Sequence, residues 1–579
     1  MARRDEEHPH SGRGVIPLAA MADLCAREYG ARPAMRVRSP SGAGYDTISH
    51  EAFAETVRAL SRRLAARGLP RGGRVAVLGE NRPEWVAAYL ATIAAGGVIV
   101  PVDRSMQRSA VRHILAESEA RILFVSGRHR SVLDEMEPVR SLVEIVDMDD
   151  GPGAEAWSEL VREGMDSGAP PLPPTDPNDP AIILYTSGTT GHGKGVVLSQ
   201  NNIASNVAAA ARVLDLGAAD VFLSVLPIHH AYEMMAGILL PLYCGSSITF
   251  ARSMKSADLV ADMRDTGVTV LVGVPLLFEK LRDGVRRGVA RRGRAARAYF
   301  RLNAGLSAAG ERLGRDWGAP LFRPFRRAAG FEGTRYFVSG GAPLDPTVSL
   351  FFDRIGIRLL QGYGLTEASP LTHVNRPDRK GRGTVGPPID GVECRILDMD
   401  EEGVGEICVR GPNVFLGYHG DPEGTAAVLG ADGWLRTGDM GRIDAEHRLT
   451  ITGRRKNVIV TPGGKNVYPE EVEMHLNRSP LIAESLVIGV RRDAGYGEDP
   501  AALIHPDYEK IDLHFEEAGR RADDRDVAAL LRAEIERRQR GLETFKRVRR
   551  FRVVEEEFAK TTTRKIKRYL YDGETFHTM

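Results

Sequence analysis

The stretch Tyr185-Thr-Ser-Gly-Thr-Thr-Gly-His-Gly-Lys-Gly-Val196 carries the densest chemistry in the chain. Its glycines let the backbone bend tightly and turn N–H groups toward an anion. Its hydroxyls add donors, and Lys194 adds a mobile positive charge. Such a loop is suited to holding phosphate, with Thr186, Ser187, Gly188, Thr189, Thr190, Gly191 and Lys194 as the candidate contacts. Residues 188–194 also fit G-x-x-x-x-G-K, but Gly195 stands where a P-loop has its magnesium-holding Ser or Thr. Residues 181–184 before the loop and 196–198 after it read as strands, where a P-loop needs a helix N-terminus. The segment reads as strand–loop–strand; the plainer alternative is an ordinary flexible hairpin.

Four more segments carry usable groups. Pro227-Ile-His-His-Ala-Tyr-Glu233 follows a predicted strand, the usual ligand position in an α/β sheet, although a single histidine is more often structural. In Ser339-Gly-Gly-Ala-Pro-Leu344, Gly340 and Gly341 permit close approach of a flat ring, with Ala342 and Pro343 next. In Gln361-Gly-Tyr-Gly-Leu-Thr-Glu-Ala368, Gly362, Gly364 and Leu365 surround Tyr363, a stacking face. Thr366 there adds a hydroxyl, and Glu367 a hard oxygen ligand for magnesium. The plain alternative is a turn with a packed tyrosine. Asp439, at a turn, either caps backbone or accepts from hydroxyls.

In this order the segments resemble the markers of the adenylate-forming enzymes: acyl-CoA synthetases, luciferases and peptide-synthetase adenylation domains. The likeness runs over about residues 16–570 and is strongest to long-chain fatty-acid–CoA ligases. It implies an adenine site at 340–343 and 362–366 with Tyr363 stacked on the base. It implies ribose held by Asp439, ribose and phosphate reached by Arg454, and an acyl group beside His230 and Tyr232. Thr186 and Glu367 would be the magnesium side, and Lys565, Glu367 and Thr186 the catalytic set. Lys456 would be the hinge and Gly463, Gly464 and Lys465 the thiol-side loop. Lys565 lies in Lys560-Thr-Thr-Thr-Arg-Lys-Ile-Lys-Arg568, where Arg564 replaces the family's usual glycine. The implied reaction is two-step: a carboxylate and ATP give acyl-adenylate and pyrophosphate, then coenzyme A takes the acyl group and AMP leaves. An acyl carrier protein is the alternative acceptor. A silent nucleotide- or fatty-acid-binding module is the alternative from another class, and a P-loop ATPase a remote third.

The elements that must position these groups alternate. Ser49 reads as an N-cap, with Phe53, Val57, Leu60 and Leu64 on one helix face and Gly68 as the stop. A strand at 74–78, a helix from Pro83 capped by Asn81, a strand at 98–101, a helix at 109–118 and a strand at 121–125 follow. This is α/β alternation, with a parallel sheet and helices on both faces. Short strands and glycine turns from 384 onward suggest a small antiparallel barrel. Residues 279–331 read as arginine-rich helices, resembling the extra helices of long-chain ligases. They form either a solvated pair or a face for an anionic membrane surface.

With 579 residues the chain exceeds one core, and the expected division is a disordered terminus 1–14, a large domain 15–453, a hinge 454–456 and a small mobile α+β domain 457–579. The 78 basic and 77 acidic residues balance to +1, which disfavours nucleic acid. Cys25, Cys244, Cys394 and Cys408 are scattered without a metal-binding spacing, which fits a reducing cytoplasm. Residues 1–14 lack the apolar core of a signal peptide, and Gly96-Gly97 interrupts the apolar run 85–102, so helix–turn–strand is expected there rather than a membrane span.

Overall fold

The computed structural model describes residues 13–42, 44–151, 153–165, 172–186, 193–378, 381–491, 497–517, 519–521, 523–560 and 566–578. It is an α/β protein with a large N-terminal domain of mixed sheets and a smaller C-terminal domain. Two eight-stranded sheets form the large domain. The first runs, edge to edge, 371–374, 358–364, 336–339, 270–273, 221–224, 247–250, 33–38 and 45–49. Its inner strands pair in parallel and its two edge strands antiparallel. The second runs 417–418, 195–199, 180–185, 98–102, 74–78, 122–125, 144–147 and 155–156, parallel except for the 180–185, 195–199 and 417–418 pairings.

Local chemistry explains the elements. Ser49 accepts from the Ala52 N–H at 3.1 Å and starts helix His50–Ala66, which buries Phe53, Val57, Leu60 and Leu64. Strand Val98–Val102 is buried along its whole length, as a parallel strand covered by helices should be. Helix Pro83–Ala94 is buried nearly all round, which is why it reads as a membrane span by composition alone. Asn81 does not cap it: the cap position is Arg82, and the Asn81 amide instead reaches the other sheet. Proline at the first helical position removes one of the unpaired N–H groups of the first turn.

The stretch expected to form a small antiparallel barrel is a four-stranded antiparallel sheet, ordered 393–397, 405–410, 435–443 and 449–454. Beyond it, strands Ile482–Arg491, Glu498–Pro506 and Arg550–Val553 form a three-stranded sheet with cores of its own. Ion pairs tie this part to the rest: Arg478 Nε to Asp345 Oδ2 at 3.3 Å and Lys465 Nζ to Glu401 Oε2 at 2.8 Å. Among the described residues no helix is long and apolar enough to cross a membrane.

Candidate active site

The phosphate-loop strands are antiparallel, with Tyr185 opposite Gly195. The Thr186 N–H donates to the Lys194 carbonyl at 3.1 Å, and the Thr186 hydroxyl points to the same oxygen at 3.4 Å, closing the neck of the loop. Ser187, Gly188, Thr189, Thr190 and Gly191 lie outside the described residues. Strand Gly417–Tyr418 pairs on the outer side of Gly195–Ser199 and brings residues 418–421 beside Lys194. Lys194 Nζ donates to Asp421 Oδ2 at 2.8 Å and stands 4.5 Å from the Tyr418 ring centroid. The Tyr418 hydroxyl donates to Glu367 Oε1 at 2.9 Å. Lys194 and Glu367, far apart in sequence, are therefore joined through one tyrosine.

The proposed nucleotide side lies at the ends of strands Tyr336–Ser339 and Arg358–Gly364. A Cβ on Gly340 would stand 2.8 Å from Tyr232 Cζ, so glycine there is what lets the Tyr232 ring pack. Gly341 has φ +83°, and Gly341, Ala342 and Pro343 are exposed. A Cβ on Gly364 would fall 1.7 Å from the Pro370 carbonyl oxygen. Gly362 and Tyr363 are buried on this strand, and Leu365, Thr366 and Glu367 are half-buried just beyond it. The Tyr363 hydroxyl donates to Asp439 Oδ2 at 2.7 Å, and Arg454 Nε meets Asp439 Oδ1 at 2.8 Å. Asp439 is not at a turn but inside strand Leu435–Ile443, and register explains the second contact, because Asp439 and Arg454 are cross-strand partners. Burial and the Asp439 charge push the Tyr363 hydroxyl well above the usual phenol value.

The histidine loop joins strand Val221–Ser224 to a π-helical stretch, Glu233–Leu239. Tyr232 donates to the Val338 carbonyl at 3.0 Å. The His229 and His230 rings are 4.2 Å apart, and His229 Nε2 is 3.4 Å from Asp103 Oδ1. Burial alone would raise the Asp103 carboxyl; the neighbouring His229 ring and the bonds from Ser105 outweigh it and hold the group well below its ordinary value. Glu233 is fully buried, accepts from Ser224 Oγ at 2.6 Å, and is pushed up to about 8 by burial.

Around Lys456, burial and the Arg454 charge lower the ammonium below its usual value, while Asn457 donates to Glu470 Oε1 at 2.6 Å. Gly463 and Gly464 are exposed beside the Lys465–Glu401 pair. Lys565 lies outside the described residues. Its flanks are anchored: Lys560 and Ile566 form a β-bridge, Lys560 pairs with Glu484 at 2.6 Å, and Arg568 pairs with Glu473. Among the described residues no cluster of three or more His, Cys, Asp or Glu could hold a metal by itself. Thr186 and Glu367 supply one hydroxyl and one half-buried carboxylate, a donor set suited to a magnesium that arrives on nucleotide phosphates.

Sequence reasoning missed Tyr418, Asp421 and Asp103, and read Asn81 as a helix cap. Asp421-Pro422 was readable as a helix start, and Asp421 does accept from the Gly424 N–H at 2.7 Å. Nothing local says that this cap faces Lys194.

Two open α/β sheets with candidate ligand-holding groups just beyond their strands define a nucleotide-binding class of enzyme. The chain belongs to the AMP-binding enzyme family, whose model matches residues 23–419. It is 30% identical over 493 residues to the long-chain-fatty-acid–CoA ligase ACSBG2 of Rattus norvegicus, covering 80% of this chain and 73% of that protein. It is 31% identical over 545 residues to the long-chain-fatty-acid–CoA ligase FadD15 of Mycobacterium bovis, covering 89% and 88%. Among solved structures, ATP-bound MatB from Rhodopseudomonas palustris superposes with a TM-score of 0.72 at 27% identity over 95% of this chain and 98% of that one. The anthranilate–CoA ligase AuaEII shares the fold, with a TM-score of 0.76 at 19% identity over 97% and 98%.

Proposed function

We propose that this enzyme is an AMP-forming acid–thiol ligase acting on fatty acids, with coenzyme A as the thiol. Two linked groups support the reading, Lys194 joined through Tyr418 to Glu367 and Tyr363 joined through Asp439 to Arg454, in a chain similar to two named long-chain-fatty-acid–CoA ligases.

The first half-reaction brings a carboxylate to the α-phosphate of ATP. Two unit charges about 4 Å apart repel by roughly 4 kcal/mol at an effective dielectric near 20. The work of the site is therefore positioning and charge stabilisation, since the carboxylate is already a nucleophile. Tyr363 and residues 340–343 border the adenine, Asp439 accepts from the ribose hydroxyls, and Arg454 reaches ribose and phosphate. Lys194 leaves Asp421 for the phosphates, at little cost because the pair is exposed. Magnesium, held by Glu367 and Thr186, would neutralise phosphate charge. Lys565 approaches the reacting phosphorus, and His230 and Tyr232 flank the acyl group. In the second half-reaction the thiolate sulfur attacks the acyl carbonyl carbon and the bond to AMP breaks. Residues 457–579 turn about the 454–456 hinge, withdrawing Lys565 and presenting Gly463, Gly464 and Lys465.

A carboxylate series from acetate to stearate, scored by ATP–pyrophosphate exchange, tests this. Maximal exchange with medium or long chains is expected; exchange indifferent to every carboxylate overturns it. Radiolabelled palmitate offered with coenzyme A or with acyl carrier protein decides the acceptor, and labelling of the carrier protein alone replaces the thiol named here.

The partner expected at residues 279–331 is the inner face of a membrane, approached from the cytoplasm. Helix Gly293–Arg312 exposes Tyr299, Leu302 and Leu306 along one stripe, with Leu313 just past its end. Seven arginines and no acid lie between Asp283 and Glu311. Such an apolar stripe flanked by cations suits an anionic surface where fatty acids reside.

A further inference from the structure

The loop that carries His230 and Tyr232 is held from the opposite sheet. Asn81 follows strand Arg74–Leu78, and Asp103 follows its parallel neighbour Val98–Val102. The Asn81 amide donates to the Leu226 carbonyl at 2.6 Å and to Ser224 Oγ at 2.9 Å, and its oxygen accepts from the Ile228 N–H at 3.1 Å. Asp103 Oδ1 accepts from Ser105 N–H at 2.9 Å and Ser105 Oγ at 2.6 Å, and stands 3.4 Å from His229 Nε2. Asp103 and His229 side chains are each 6% exposed. His229 in turn lies against His230, ring to ring at 4.2 Å.

We propose that Asp103 is a positioning residue for the carboxylic acid substrate: through His229 it fixes the His230 ring, while Asn81 fixes the loop backbone. The inference rests on the acyl-side reading of His230 and Tyr232. Strand Val98–Val102 also pairs with Pro180–Tyr185, which enters the phosphate loop. One sheet therefore carries both Asp103 and the strand that leads to Thr186, and on this proposal the acid is presented at a set distance from the nucleotide. Displacements of about 1 Å in such an arrangement cost on the order of a hundredfold in rate. A carboxylate suits the task because it only accepts and keeps its charge while buried among donors. A purely structural Asp103, holding the turn to Ser105 and Met106, would affect stability and leave the two substrates' constants in proportion.

The test uses the full chain with Asp103→Asn, His229→Gln and the double variant, in exchange assays with the carboxylate the wild type prefers. Each single change is expected to raise the carboxylate KM about tenfold, the loss of one contact to a buried carboxylate, with the ATP KM within about twofold. The double variant should be no worse than either single one, since both act through one contact. Equal rises in both constants, no rise, or additive effects overturn the proposal. His229→Gln decides the matter if Asp103→Asn does not fold. Independently of turnover, imidazole resonances of protein labelled with nitrogen-15 histidine should shift for both His229 and His230 in Asp103→Asn. An unmoved His230 signal refutes the coupling. A wild type that exchanges with no carboxylate sinks the functional reading instead, and the spectra still decide whether Asp103 governs His230.

Discussion

Asp439 is 5% exposed and joined to both Tyr363 and Arg454, so its carboxylate is oriented before any nucleotide arrives. Removing it as Asp439→Ala should raise the KM for ATP by roughly thirtyfold, about 2 kcal/mol for lost charge-assisted bonds. Tyr363→Phe should cost about fivefold, near 1 kcal/mol. Steady-state kinetics at fixed carboxylate reads both, and an unchanged ATP constant in Asp439→Ala would remove the ribose from its role. Glu233 makes a different prediction. Its carboxyl is buried and stays protonated up to about pH 8, against an ordinary value of 4.5. The folded state thus holds the extra proton between those values, and stability falls as pH rises through that window. The slope approaches roughly 1.4 kcal/mol per pH unit at most. Glu233→Gln cannot ionise, so its urea stability relative to wild type should climb from pH 4.5 toward 8; a flat difference would count against the burial argument.

At the scale of elements, helix Gly293–Arg312 presents leucines to solvent beside arginines. Leu302→Glu with Leu306→Glu should abolish sedimentation with phosphatidylserine vesicles and leave exchange with a soluble short-chain acid unchanged. Binding of wild type to phosphatidylcholine alone, insensitive to salt, would contradict the charge argument. The elements were the part of the fold most legible in sequence. Ser49 and the Phe53–Leu64 face announce helix His50–Ala66, and the all-apolar strand at 98–102 announces burial. What sequence could not supply were contacts between strand ends of different sheets. Asn81 looks like a cap because asparagine before Pro83 has that local signature, yet its amide is spent on Leu226 and Ile228. The pairing of Lys194 with Asp421 is equally non-local, set by strand Gly417–Tyr418. Asp439 reads in sequence as a carboxylate at a turn and Arg454 is reached only through the family resemblance, and their opposition depends on a register that no short window encodes.

For the whole molecule, the question is how the proposed two half-reactions share one set of residues. Arg568, three residues beyond Lys565, is bound to Glu473 and to the Val487 carbonyl at 3.1 Å, so the flank of the lysine segment is fixed to the C-terminal sheet. In Lys565→Ala, adenylate formation should fall by orders of magnitude while thiolation of supplied acyl-adenylate largely survives. Equal loss of both would mean that the lysine is not exchanged between steps. Strand Gly417–Tyr418 has a further consequence. It lies on the outer side of Gly195–Ser199, which would otherwise offer a row of unpaired amides at the rim of the sheet. Uncovered edges of that kind invite pairing with other chains. The two residues that bring Tyr418 to Lys194 therefore also guard solubility, and lesions at 412–421 should reveal themselves as clumping during expression before any catalytic defect can be measured.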